Sequence, residues 1–229
     1  MNIVFPNRRE AGRKLAEQLT AYANHPQAIV LGLPRGGVPV AYEVAKNLNL
    51  PLDVCLVKKL GLPYSSETAM GAIAEDALIH DYSGNITIID ENMTQVHGVN
   101  GEQIKAIAAQ AKAELKWRDC FYRHFRPMLK IREHTVIIVD DGLATGLTMH
   151  AAVTALQQHQ PQKIIIATPV ASSQAIKQLE TQVDEIICLV IPEHFRAVGF
   201  WYEDFRPTTD QEVCDLLSQA TQQPETISH

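Results

Sequence analysis

The chain has 229 residues, 46% of them hydrophobic, which suits one sizeable core and excludes wholesale disorder. Its formal net charge of −6 argues against general affinity for nucleic acid or an anionic membrane, because both reward clustered cations. The four cysteines (Cys55, Cys120, Cys188, Cys214) have neither metal-finger nor CxxC spacing. A reduced, soluble, cytoplasmic chain is therefore expected, not a disulfide framework. The first residues lack the basic-then-apolar order of a signal peptide, and no apolar run approaches the roughly 20 residues of a membrane span.

In chain order, RREAGRKLAEQLTAY repeats apolar residues at helical spacing (Ala11, Leu15, Leu19, Tyr22) and predicts an N-terminal helix. AIVLGLP predicts a strand closed by Pro34, followed by a Gly-rich turn and the helical VPVAYEVAKNLNL. LDVCLVKK predicts the next strand. Strand, turn, helix, strand is the βαβ pattern of parallel sheets. Residues 60–90 break this rhythm with short alternating pieces at 71–74, 77–80 and 86–89, which suit a small antiparallel flap. A long helical stretch follows, interrupted near Gly98 and Gly101. The βαβ pattern then resumes: TVIIVD, MHAAVTALQQH, QKIIIATPVA, SSQAIKQLETQ and DEIICLVIP read as strand, helix, strand, helix and strand. The strand runs are apolar without alternation, as expected where helices cover both faces of a sheet.

Ligands of open α/β sheets bind at the carboxyl ends of strands, and three predicted strands end in chemically loaded turns. One is Pro34-Arg35-Gly36-Gly37, one is Lys58-Lys59, and one is VDDGLATGLT at 139–148. In the last, Gly142 and Gly146 permit a turn whose backbone N–H groups face inward, and Thr145 and Thr148 add hydroxyls ahead of a helix. The lysine of a Walker A loop is missing, since Leu147 follows the second glycine. Asp140 and Asp141 are poor neighbours for phosphate but suit hydroxyl groups and a hard cation such as Mg²⁺. A sugar phosphate satisfies both halves. Asp-Asp-Gly alone is as readily a strand-ending turn with an Asp cap, so the weight rests on the whole run.

VIIVDDGLATGLTM resembles the 5-phosphoribosyl 1-pyrophosphate (PRPP) motif of type I phosphoribosyltransferases, and the match is complete at the acidic pair, Thr145, Gly146 and Thr148. LGLPRGGVPVAYEVA, VKKLGLP, ETAMGAIAE, YR, AVGFWYEDF and TDQEV are similar to blocks of a bacterial branch of that family, and together they reach from about residue 5 to 217. The resemblance implies an α/β domain over 1–219, with a central parallel sheet flanked by helices. It also implies a flap at about 60–90, a hood from about 194–206 with N-terminal contributions, and a flexible tail at 220–229. It implies that Asp140 and Asp141 bind ribose hydroxyls with Mg²⁺ nearby, directly or indirectly. Gly142, Leu143, Ala144, Thr145, Gly146, Leu147 and Thr148 would hold the 5′-phosphate. Leu33-Pro34-Arg35-Gly36-Gly37 matches the pyrophosphate loop, which in this fold often carries a non-proline cis peptide. Lys58 and Lys59 match the basic strand end that contacts pyrophosphate, with Lys59 stabilising charge.

The expected reaction is PRPP-dependent transfer to a nitrogen base, giving a nucleotide and pyrophosphate. A non-enzymatic PRPP or nucleotide sensor and a PRPP or nucleotide hydrolase are the alternatives. One departure bears on the acceptor. Relatives handling 6-oxopurines have an aspartate before the Thr-Gly pair, and here Ala144 stands there. Glu67 and Glu75 in the predicted flap are the candidates for proton transfer, against their reading as solvated carboxylates. The aromatic cluster Phe195, Phe200, Trp201, Tyr202 and Phe205 reads equally as a base-stacking hood and as packing or a dimer contact. The acceptor base and the oligomeric state stay open, a homodimer being common for the fold.

Overall fold

A computed structural model describes residues 4–74, 86–124 and 129–221. The first helix, α1 (Arg8–Gln18), is capped by Asn7, whose side chain accepts the Glu10 N–H at 3.0 Å. Then come β1 (Ala28–Gly32), α2 (Gly37–Leu48), β2 (Leu52–Val54), β3 (Val57–Leu62), β4 (Ser65–Ala74) and β5 (Ile86–Ile89). Two helices follow, α3 (Glu91–Val96) and α4 (Gly101–Arg123), separated as the glycines suggest. The chain continues through β6 (Thr135–Val139), α5 (Leu147–Gln158), β7 (Lys163–Val170), α6 (Ser173–Leu179) and β8 (Glu185–Val190). A 3-10 turn (Val198–Trp201) and α7 (Asp210–Thr221) complete it.

Five strands form a parallel sheet in the order β2-β1-β6-β7-β8. Side chains of a strand alternate between faces, so each central strand feeds two cores. Ile29, Leu31, Val136, Ile138, Ile164 and Ile166 pack under α5 and α6. Val30, Ile137, Val139, Ile165 and Ala167 pack under α1 and α2. Both faces are covered, which is why the strand runs are uninterruptedly apolar.

Strands β3, β4 and β5 form a separate antiparallel sheet. One of its faces carries Leu60, Met70 and Ile73 against Leu115 and Tyr122 of α4 and Leu216 of α7. Val57, Ala72 and Ala74 face the α5 core. Arg123 closes this layer onto β2, its Nε donating to Asp53 at 3.2 Å with both residues buried.

One expectation is corrected, and one helix goes beyond the sequence reading. LDVCLVKK is not one strand. β2 pairs with β1 only as far as Gly32 and Val54, because β1 then turns away; the chain bends at Cys55 and Leu56 and pairs with β4. Lys58 and Lys59 therefore stand on the antiparallel sheet, not at the end of a core strand. TDQEVCDLLSQ, to which the sequence reading assigns no element, is helix α7, with the Thr209 hydroxyl accepting the Glu212 N–H at 3.1 Å. The helix reaches Thr221, so only residues 222–229 of the expected tail lie outside the described residues. The flap piece at 77–80 and Glu75 also lie outside them. No disulfide joins the four cysteines, and burial pushes the Cys188 thiol up to about 11.

Candidate functional site

β1 and β6 are neighbours, but β1 leads on to β2 at one sheet edge and β6 leads on to β7 toward the other. Their carboxyl ends thus form the topological switch point, where an open sheet leaves a crevice between diverging loops. The loop after β1 holds a cis peptide between Pro34 and Arg35. It touches the loop after β6 closely: a Cβ on Gly36 would lie 2.1 Å from the Asp141 carboxylate, and one on Gly37 would lie 2.7 Å from the Val139 carbonyl oxygen. Glycine at both positions lets the two loops meet.

The acids are not equivalent. Asp140 Oδ1 accepts the Asp141 N–H at 2.8 Å. Asp141 Oδ2 accepts Arg8 Nε at 2.7 Å, and the Tyr202 hydroxyl donates to the Asp141 carbonyl at 2.5 Å. Arg8 is itself fixed, stacked 3.9 Å over the Phe205 ring and donating from Nη1 to the Arg206 carbonyl at 2.8 Å. Burial raises the Asp140 carboxyl well above its ordinary value, with the neighbouring Asp141 charge adding to the effect. Burial also raises Asp141, against the pull of Arg8. Two half-buried acids with one arginine between them carry negative charge that a cation or a set of hydroxyl donors would balance.

The turn that follows is pinned from beneath. Leu143 N–H donates to the Val170 carbonyl at 2.9 Å, and Ser172 Oγ donates to the Ala144 carbonyl at 2.6 Å while capping α6. Gly146 has φ of +75°, a left-handed value that suits glycine, and it starts α5. The N–H groups of Ala144, Thr145 and Gly146 have no partner among the described residues, and Ala144 and Thr145 are exposed. Free N–H groups at the start of a 12-residue helix make an anion-binding end.

A cavity of about 630 Å³ opens beside this turn, lined by Asp140, Asp141, Thr148 and Lys59, with Glu114 and Arg118 of α4 on the far wall. The structure thus brings the acids, Thr148 at the start of α5 and β3 to one space, but it does not leave every expected cation available. Lys58 lines the cavity and pairs with Glu114 at 2.8 Å; Arg118 shares the same partner at 2.8 Å. Arg35 turns away to Asp210. Among the described residues Lys59 alone of the three makes no ion pair, and its charge acts on Asp140. Glu67 lies on β4 with its side chain outside the described residues. Trp201 and Tyr202 are core residues packed with Phe5, whereas Phe200 is 66% exposed.

No cluster of three metal-ligating side chains occurs among the described residues. The paired carboxylates still fit Mg²⁺, which takes one or two protein carboxylates and draws its other ligands from water and substrate oxygens. Arg8, Ser172, Asp210 and the α4 wall were missed by the sequence reading, and Tyr202, read there as hood or packing, packs with Phe5 and also holds the acid loop.

A parallel sheet with an acidic pair and an anion-binding turn at its switch point, roofed by a small antiparallel sheet, is the type I phosphoribosyltransferase fold. The chain belongs to the phosphoribosyl transferase domain family, whose pattern it matches over residues 5–203. It is 37% identical over 217 residues to a Mycobacterium tuberculosis protein named "Putative phosphoribosyl transferase Rv0571c", covering 95% of this chain and 47% of that one. The chain spans about half the length of the curated relatives it matches. The crystal structure of TT1426 from Thermus thermophilus is 36% identical, with a TM-score of 0.74, covering 94% of this chain and 98% of that chain.

Proposed function

We propose that the chain binds Mg²⁺·PRPP and transfers its phosphoribosyl group to a nitrogen base, releasing pyrophosphate. The observation carrying this reading is that the acid pair and Thr148, which flank the uncapped turn at 144–146, border one cavity with Lys59. The turn's N–H groups and Thr148 hold the 5′-phosphate, and Asp140 and Asp141 accept from the ribose hydroxyls. Bound at the acids, Mg²⁺ supplies charge neutralisation for the departing pyrophosphate. Lys59 adds a fixed positive charge where negative charge grows as the C1–O bond breaks. The base attacks C1 from the face opposite that bond, and positioning, not a covalent nucleophile, supplies most of the acceleration. Four cysteines without a disulfide among them favour a reducing compartment, so we place the reaction in the cytoplasm.

The test is pyrophosphate release from Mg²⁺·PRPP across a panel of purine and pyrimidine bases. Release that depends on one base supports transfer. Base-independent release shows hydrolysis, and PRPP binding without turnover across the panel shows a sensor; either overturns the proposal. Asp140→Asn with Asp141→Asn is expected to abolish Mg²⁺-dependent PRPP binding measured by calorimetry.

A further inference from the structure

Arg35 stands between Pro34 and Gly36, both of which line the cavity, yet its own side chain does not. Its Nη1 instead donates to Asp210 Oδ2 at 3.3 Å, with 43% of the Arg35 side chain exposed. Nε and Nη2 have no partner among the described residues. Asp210 is held far more firmly. It opens α7, where the helix dipole favours a carboxylate, and its Oδ1 accepts the hydroxyl of Tyr122 from α4. Tyr122 has no exposed surface, and burial together with Asp210 keeps its phenol protonated far above the usual range. Asp210 is thus fixed from two sides without Arg35, whereas Arg35 is held by one nitrogen.

We propose that Asp210, anchored by Tyr122, is a positioning residue that latches Arg35 outside the cavity until a polyphosphate competes for the guanidinium. The inference rests on the reading of Arg35 as a pyrophosphate contact. A partly exposed ion pair through one nitrogen is a weak hold. A phosphate group offers two parallel charge-assisted hydrogen bonds, which the free Nε and Nη2 can donate. The exchange requires only side-chain rotation about a loop already in contact with the acids. Through it, α4 and α7, which contribute no catalytic group, set the affinity of the site for its leaving group.

The experiment titrates Mg²⁺·pyrophosphate into wild type, Arg35→Ala, Asp210→Asn and the double variant by calorimetry. Arg35→Ala should weaken binding. Asp210→Asn should tighten it by about two- to fivefold, the scale of a partly exposed pair. In the Arg35→Ala background the Asp210 substitution should change nothing, because the latch acts only through Arg35. Asp210→Ser, which keeps a helix-starting residue without the charge, should reproduce the gain if the asparagine variant folds poorly. Weaker or unchanged binding in both Asp210 variants overturns the latch, and so does a gain that persists without Arg35. Wild-type binding that Arg35→Ala leaves intact, or no wild-type binding at all, removes instead the pyrophosphate reading on which the latch depends.

Discussion

Arg8 and Asp141 form a 2.7 Å ion pair across 133 positions of sequence, with side chains only 11% and 13% exposed. Removing one partner of such a pair leaves an uncompensated charge. Arg8→Ala should therefore destabilise the ligand-free protein by about 3 kcal/mol at neutral pH. The loss should shrink between pH 7 and acid pH, as Asp141, its carboxyl raised by burial, takes up a proton. Thermal melts at the two pH values check this, and an equal loss at both would refute the charge argument. Arg8→Lys should recover only part, since an ammonium cannot stack its plane on Phe205.

Asp140 gives the opposite sign to the usual carboxylate. Its folded-state pKa is raised, so between the ordinary carboxylate value and that raised value the folded chain binds more protons than the unfolded one. Stability contributed by this group therefore falls as pH rises through that window. Asp140→Asn should melt close to wild type near pH 4 and above it at pH 7–8, at about 2–4 °C per kcal/mol for a chain of this size. A difference that does not grow with pH contradicts the assignment.

Gly36→Ala should be costly for its size. The added Cβ would lie 2.1 Å from Asp141 Oδ2 and push either the carboxylate or the loop aside. We expect a loss of about 1–3 kcal/mol in stability together with weaker PRPP binding. Wild-type melting and affinity would show that the loops separate without penalty.

Ser172→Ala removes two hydrogen bonds at once, the cap of α6 and the donation to the Ala144 carbonyl at 2.6 Å. The lost cap should cost about 1 kcal/mol. The second loss loosens the turn, so affinity for inorganic phosphate should fall more than it does for Gln174→Ala, a control on the same helix. Equal affinities for the two variants would restrict Ser172 to capping.

The parallel sheet was readable because buried strands are written as unbroken apolar runs, and Asp140 to Thr148 because the acids and the turn are contiguous. Arg8 was not readable. In RREAGRKLAEQ it is one of several exposed-looking cations at a helix start, and its partner is fixed only when Tyr202 and Phe205 fold back beside α1. The break in LDVCLVKK depends on where β1 runs out, a property of another segment. The start of α7 did carry a local signal, Thr209 followed three positions later by Glu212, which is the spacing of a helix cap. The commitment of Lys58 to Glu114 was invisible for the same reason as Arg8, since it needs α4 to be laid across β3.

The bend at Cys55 and Leu56 divides the cavity between two sheets. The acids and the turn belong to the parallel sheet, whereas Lys59 belongs to the antiparallel one, which rests on α5 and α4 without a shared ladder. A ligand that reaches from Asp140 to Lys59 spans a seam, and it works as a removable fastener between the two bodies. Under the proposed reaction, loss of pyrophosphate would open that fastener at the Lys59 side while the ribose phosphate still held the other.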